Sequence, residues 1–315
     1  MGRITSQLDD VLSATLEDHK TEFQEQFFLN NIVLKKMQQK AEERLDGGTQ
    51  IIRSVVYQAH QSAQWTARNG SVTVGYQNIG TQAIWDWARL TDAVTITDDE
   101  EAENAGSNKL WDVLSARIET VRESIDQQLE LGMLASSTAD ANTIWSLYDI
   151  VDTADPTLAN FGGLDRDTHI WWQATKITSG SMATQGLENM RTGAETVSRS
   201  GMEKPNLYVT TLLLFNAYKS RLFPLVQLGK TGDAEFDHLM FEGYPIVYSH
   251  AAQTGVLLGL NTKYLKFIGN KNMMFKNYPF TRAVGGRSRS SVIATMCQLI
   301  SLRPRSNFKL ISMVA

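Results

Sequence analysis

The chain has one cysteine in 315 residues, so Cys297 has no intrachain partner. That excludes an internal disulfide and a cysteine-ligated metal centre; the residue reads as a small buried hydrophobe. No run approaches the roughly 18 apolar residues of a membrane span. The opening MGRITSQLDD lacks the apolar core of a secretory signal. There is no lysine between Lys40 and Lys109, and no aspartate or glutamate from Gly243 to Ala315. What remains is ordinary for a folding chain. Hydrophobic residues make up 42% and charged residues 20%, enough to bury a core. The length is about twice the common domain size, so one large domain or two closely packed ones is expected.

The missing acids divide the charge along the chain. The acid-free segment carries ten bases: Lys263, Lys266, Lys271, Lys276, Arg282, Arg287, Arg289, Arg303, Arg305 and Lys309. The rest holds 34 acids against 20 bases. Opposite segments of this kind attract one another, within a chain or between copies. A basic face for nucleic acid is a second reading. In a third, the charges simply mix in three dimensions.

Hydrophobic spacing gives the element order. Ile4, Leu8, Val11, Leu12 and Leu16 form a near-helical stripe, and Phe27–Arg44 is a second amphipathic run ending at Gly47-Gly48. Two short helices without a core of their own suggest an arm. Residues 50–97 change texture. Gln50–Tyr57, Ser71–Gln77 and Ala83–Leu90 are β-branched and aromatic, with Val94 and Ile96 following and Asn69-Gly70 as a turn signal. We expect a hairpin with a loose tip around Gln58–Gly70. Two arms of about 20 residues would reach about 60 Å, whereas a chain of this length has a radius of gyration of about 20 Å. Such a hairpin should project onto another subunit; the alternative is a hairpin curled into its own domain. The acidic Asp98–Gly106 precedes a long helix, Asn108–Leu134, whose Leu110, Leu114, Ile118, Val121, Ile125, Leu129 and Met133 share one face.

The remainder reads as mixed helix and strand. Thr143–Val151 and His169–Ile177 are apolar pieces. A helix over Leu187–Ser200, a strand Asn206–Val209 and a helix from Thr211 stopped by Pro224 follow. Glu242-Gly243-Tyr244-Pro245 turns into Ile246–Ser249. Strands are expected at Lys263–Ile268, Met273–Phe275, Ser291–Leu302 and Phe308–Val314.

Motifs that carry chemistry are missing. His19, His60, His169, His238 and His250 stand far apart in no zinc pattern. Gly229-Lys230-Thr231 resembles the end of a phosphate loop, but the first glycine of that motif would fall on Pro224. Gly180-Ser181 is not part of a nucleophile elbow. Gly162-Gly163 and Gly285-Gly286 read as turns. The seven tryptophans are spread along the chain rather than interleaved with bases as a stacking platform. No catalytic residue, cofactor or metal is expected.

An arm, a hairpin, a long helix and a strand-rich end, in that order, resemble the major capsid (coat) protein of tailed bacteriophages, the HK-ninety-seven-type fold. The marks are Asn206-Leu207-Tyr208-Val209-Thr210-Thr211 running into Tyr218-Lys219, then Phe241-Glu242-Gly243-Tyr244-Pro245-Ile246-Val247, Phe280-Thr281-Arg282 through Leu302-Arg303-Pro304, and Phe308-Lys309-Leu310. The resemblance implies an α+β fold. Residues 1–46 would be the N-terminal arm and 47–97 the extended E-loop hairpin with its base. Residues 98–139 would be the spine helix of the peripheral domain and 140–262 the axial domain. Residues 263–307 would be the returning peripheral strands and 308–315 the closing strand.

It also implies a non-enzymatic subunit that self-assembles as hexamers and pentamers into an icosahedral shell around double-stranded DNA, bound without sequence specificity. Some family members cross-link through an E-loop lysine; the lysine-free stretch 41–108 excludes that here. If Met1 is the true start, scaffolding comes from a separate protein. Portal and cement or decoration proteins are further expected partners, a membrane is not, and the expected location is the virion after assembly in the host cytoplasm. The expected subunit-contact residues are Trp65, Arg68, Val72, Tyr76, Trp85 and Trp87 on the hairpin. Asp98, Asp99, Glu100 and Glu101 of the acidic run and Arg287 and Arg289 of the basic segment are expected there too. The alternatives are an encapsulin-like protein compartment and, from another class, a DNA-binding module using the basic C-terminal segment.

Overall fold

The computed structural model describes residues 31–71, 75–103, 113–138, 142–153, 160–198, 202–226, 239–282 and 287–314. The expected helix over Ile4–Leu16 lies outside them. So do Gly229-Lys230-Thr231 and Gly285-Gly286.

The amphipathic run from Phe27 to Arg44 becomes helix α1, Ile32–Ala41, and strand β1, Glu42–Leu45. Val33, Leu34, Met37 and Ala41 are its buried face. Extended backbone at Glu42 ends the helix, so Arg44 sits in a strand, not in the helix expected of it. Strands β2, Gln50–Val56, and β3, Gly80–Asp86, pair antiparallel from Gln50↔Asp86 to Val56↔Gly80. The hairpin is therefore shorter than expected in its paired part. Seven residues per arm reach about 23 Å. Of the expected strand Ser71–Gln77, Ser71 and Gly75–Gln77 are irregular, and Val72–Val74 lie outside the described residues. The return strand breaks at Trp87, whose indole turns into the core and donates to the Gly48 carbonyl at 2.9 Å. Beyond it, β4, Ala88–Thr97, leaves the hairpin for a larger sheet.

Helix α2, Asp98–Glu103, starts in a capping box. Glu100 N–H donates to Thr97 Oγ1 (3.3 Å) and Thr97 N–H to Glu100 Oε2 (3.1 Å). Helix α3, Val113–Met133, is the expected long helix. Ile125, Leu129 and Met133 are buried along its stripe, with Ile118 and Val121 packed at its edge. A short α4, Leu147–Ile150, is capped by Ser146, whose hydroxyl accepts from Tyr148 N–H. Strands β5, Asn160–Phe161, and β6, Leu164–Asp165, are joined by Gly162-Gly163, as expected of a turn. Gly162 has φ +62°, and a Cβ there would stand 2.8 Å from the Trp85 ring, so only glycine fits.

After β7, Thr175–Thr178, a π-helical turn at Met182–Gly186 feeds α5, Leu187–Val197. Strand β8 is Leu207–Thr210. Helix α6, Leu212–Val226, continues past Pro224, which had been expected to stop it. Strands β9, Met240–Phe241, and β10, Tyr244–Tyr248, flank the expected turn, with Glu242 at φ +50° and Gly243 at φ +85°. Strands β11, Leu257–Leu260, and β12, Leu265–Asn270, follow. The expected strand at Met273–Phe275 is a turn with Phe275 at φ +50°, and the strand there is β13, Lys276–Asn277. Strands β14, Thr281–Arg282, β15, Ser288–Ser301, and β16, Phe308–Ile311, complete the chain.

Two mixed sheets organise these elements. The first runs β1-β12-β15-β13, with β4 and β14 also on β15. The fourteen-residue β15 is its axis; it pairs with β4 over Ser288↔Thr97 to Cys297↔Ala88 and with β12 beyond. Helix α3 crosses β4 and β15, while α1 lies against β12. The second sheet runs β7-β16-β11-β8-β10-β9. Between it and α5 and α6 sits a second core of Met190, Ala194, Tyr208, Leu214, Phe241 and Phe308. This is an α+β architecture.

Candidate subunit interface

The hairpin alternates by the two-residue period of a strand. Ile51, Val55, Ala83 and Trp85 point into the core, while Ile52 and Ile84, directly opposite each other, and Val56 face outward. Beyond Tyr57 the described tip residues are almost all exposed. Trp65 and Tyr76 stand fully in solvent, at 105% and 96% exposure. Covering one large ring is worth about 2–3 kcal/mol, so two bare rings on one loop are an unusual surface. Arg68 is exposed beside them, and Val72 lies outside the described residues. The base is anchored to the body: Tyr57 stacks on Trp171 at 5.3 Å, and its hydroxyl donates to the Asn78 carbonyl at 2.8 Å.

Two hairpin residues expected at an interface are not available to one. Trp85 and Trp87 are 1% and 2% exposed. They occupy inward positions of the alternation, and sequence alone does not say which face of a hairpin meets its own body. Trp85 belongs to an aromatic cluster with Phe161 (5.6 Å, edge to face) and Trp172; Trp145 meets Phe161 from another side at 5.2 Å. The dispersed tryptophans are thus partly gathered, but as core.

Two acids of the acidic run are committed within the chain. Arg117 grips Glu100 with both terminal nitrogens, at 2.7 and 3.0 Å, and donates to the Thr95 carbonyl at 2.7 Å. Hydrogen bonds from Arg117, then from Thr97, hold the Glu100 carboxyl down to about 2. Asp98 accepts from Arg282 at 2.6 Å. These two acids are therefore paired within their own chain. The Arg287 carbonyl accepts Asp98 N–H at 2.8 Å, and its side chain is exposed. Arg289 is exposed on β15 opposite Ile96. Asp99 is exposed, and Glu101 lies on α2. The basic segment is likewise spoken for in part. Lys263 and Arg303 meet Glu203, Lys271 meets Asp46, and Lys309 meets Asp152. The linear charge division is mixed in three dimensions to this extent.

Two buried polar constellations tie the body together. Glu130, 3% exposed on α3, accepts from Ser249 Oγ at 2.6 Å with one oxygen and from Leu34 N–H at 3.2 Å with the other. Leu34 and Val33 open α1, whose N-cap Asn31 makes no side-chain cap bond. Glu130 therefore caps α1 from another helix and binds it to the end of β10. Burial pushes its carboxyl above the usual range. In the second constellation, Lys309 of β16 donates to Asp152 (2.5 Å) and to the Tyr148 carbonyl (3.1 Å). Arg166, 1% exposed, donates to the Asp149 and Ile150 carbonyls at 2.7 and 3.1 Å. Burial lowers Arg166 to about 10. Neither constellation was found from sequence. Glu130 did leave one signal: it stands three and four residues before Met133 and Leu134, at the edge of the apolar stripe.

These groups are buried and hold elements of the body in place. Among the described residues there is no cluster of metal-ligating side chains, and no helix is long and apolar enough to cross a membrane.

No protein-family model matches the chain, and no curated protein matches its sequence. Solved structures do match its fold. The chain is similar to the subunit in the capsid asymmetric unit of cyanophage A-1(L), with 14% identity, a TM-score of 0.64 and coverage of 97% of this chain and 99% of that one. It is similar to the capsid of a native GTA particle, at 7% identity, TM-score 0.63, and 99% and 100% coverage. It is also similar to the SrpI encapsulin of Synechococcus elongatus PCC 7942, at 10% identity, TM-score 0.56, and 96% and 95% coverage. The chain has the α+β fold of phage capsid subunits, over essentially its full length.

Proposed function

We propose that this chain is a non-enzymatic shell subunit, a major capsid protein whose copies assemble as hexamers and pentamers into an icosahedral shell enclosing double-stranded phage DNA. The observation that carries this reading is the hairpin. Its described tip residues bury almost nothing on their own chain and hold Trp65 and Tyr76 in water, so that another copy is what covers these rings. The full-length fold likeness to capsid subunits supports it. In this reading α3 and the first sheet form the peripheral domain, and the second sheet with α5 and α6 forms the axial domain. Shell contacts are noncovalent, because the hairpin has no lysine. Repetition over many copies sums modest contacts. DNA is held without sequence specificity, and portal and cement proteins are further partners of the shell.

Expression of the chain, followed by size exclusion and negative-stain microscopy, tests the reading: closed particles are expected. Deleting Gln58–Gln77 should leave a folded but unassembled subunit, and normal particles from that variant would end the hairpin's role. The encapsulin-like compartment is the second reading, favoured by the likeness to the SrpI encapsulin. Nuclease-protected DNA in purified native particles supports the capsid; a packaged protein without nucleic acid supports the compartment. A DNA-binding module acting through the C-terminal segment is weakened by the pairing of Lys263, Lys271, Arg282, Arg303 and Lys309 within the chain. It would show as duplex binding by the isolated subunit that falls steeply with salt.

A further inference from the structure

A groove of about 500 Å³ runs between the base of the hairpin and the body. One wall is Ser54, Val55, Val56 and Tyr57; the other includes Trp171, Tyr264, Arg303 and Arg305. Four consecutive residues of an extended segment cannot all point side chains one way, because the period is two. The groove therefore follows the backbone edge of β2. That edge is open: β2 pairs with β3 alone among the described strands. Tyr57 N–H donates across the hairpin to the Ile79 carbonyl at 3.1 Å. By the antiparallel alternation, Val55 and Arg53 also turn their backbone groups toward β3, and Ser54 and Val56 turn theirs into the groove. Val56 is 72% exposed. Across the gap, Arg303 lies over the Tyr264 ring and pairs with Glu203, while Arg305 is exposed and has no ion-pair partner among the described residues.

We infer that this groove is a strand-addition site for an extended acidic segment of a different protein. The segment pairs its backbone with Ser54 and Val56, lays apolar side chains on Trp171 and Tyr264, and sets a carboxylate against Arg305. Among the described residues of a second copy the acids near extended backbone are already engaged: the acidic run is wound into α2, with Asp98 and Glu100 paired, and the edge strand β1 has Glu42 and Glu43 paired with Arg44 and Arg53. The inference does not rest on the shell reading, because it concerns the subunit before assembly.

The test uses full-length subunit and a short fluorescein-labelled peptide alternating glutamate with valine, read by fluorescence anisotropy. A lysine–valine peptide is the charge control. Saturable binding of the glutamate peptide alone is expected. Val56→Pro should weaken it at least about tenfold: proline removes the outward N–H and leaves the inward ladder, the one place a strand tolerates it. Arg305→Glu, a surface change that does not touch the fold, should weaken it similarly, and far-UV circular dichroism should match the parent for both. No binding up to about 1 mM, equal binding of the lysine peptide, or undiminished binding to folded Val56→Pro each overturns the proposal. So does release of subunit dimers by the peptide, which would assign the groove to a second copy.

Discussion

Removing the Glu130 carboxylate should release three elements at once. In Glu130→Ala, the Leu34 N–H and the Ser249 O–H lose their acceptor, although the Ser249 oxygen still accepts from Ala251 N–H. Leu34 is 1% exposed and Ser249 5%, so water does not readily replace the carboxylate. Each buried group left unsatisfied costs about 1–3 kcal/mol, and the bond lost at Leu34 is itself the helix cap. With some relaxation, a total of roughly 2–5 kcal/mol is expected. Urea unfolding followed by fluorescence of buried Trp85 and Trp172 would read this as a midpoint lowered by about 1 M or more. Glu130→Gln keeps the size, an acceptor for Leu34 N–H and a donor for the Ser249 oxygen, so about 1 kcal/mol is expected.

The pH dependence separates burial from simple bonding at this site. Burial raises the folded carboxyl above its ordinary value of 4.5. A group bound to its proton more tightly when folded contributes stability that is complete below the unfolded value and fades as pH rises through the folded one. The parent should therefore lose ground against Glu130→Gln as pH climbs upward from 4.5. A Glu130→Ala variant within about 0.5 kcal/mol of the parent, or a glutamine variant as damaged as the alanine one, would refute the three-way clip.

Three further outcomes follow from the geometry. Gly162→Ala places a Cβ 2.8 Å from the Trp85 ring at φ +62° and should cost about 2–3 kcal/mol, seen as a lower thermal midpoint. Trp65→Ala and Tyr76→Ala remove fully exposed rings; subunit stability should stay within about 0.5 kcal/mol while particle yield falls, as measured by size exclusion. Glu100→Gln should matter little, about 1 kcal/mol or less, because the pair is well exposed. Hydrogen bonds from Arg117 depress this carboxyl to about 2, so its contribution is present above 4.5 and lost as pH falls toward 2. Acid titration of both proteins by circular dichroism should show the parent's advantage vanish at the acid end.

Local pattern was enough for much of the fold. The apolar stripe through Ile118, Val121, Ile125, Leu129 and Met133 needs only 3.6-residue periodicity, and α3 lies where that stripe falls. Gly162-Gly163 and Gly243 announce turns because few residues other than glycine accept positive φ. The order of arm, hairpin, long helix and strands pointed to the capsid fold that the solved structures share. Boundaries were less legible where tertiary contact overrides pattern. Strand texture at Gly75–Gln77 stayed irregular, while the single texture of Ala83–Leu90 was divided between two sheets at Trp87.

Alternation by itself fixed that Trp85 would lie on one side of a strand and Ile84 on the other. Only the folded chain decided which side faced its own core, because that depends on Phe161 and Trp172, about eighty residues away in sequence. Composition gave the acid-free C-terminal segment; three-dimensional pairing decided that Arg282 would meet Asp98 within the same chain. Glu130, an ordinary acid on a helix by its neighbours, became a buried clasp through Leu34 and Ser249. Periodicity is written in adjacent residues and can be read there; partnership is set by where distant segments come to lie, and burial then fixes what each contact is worth.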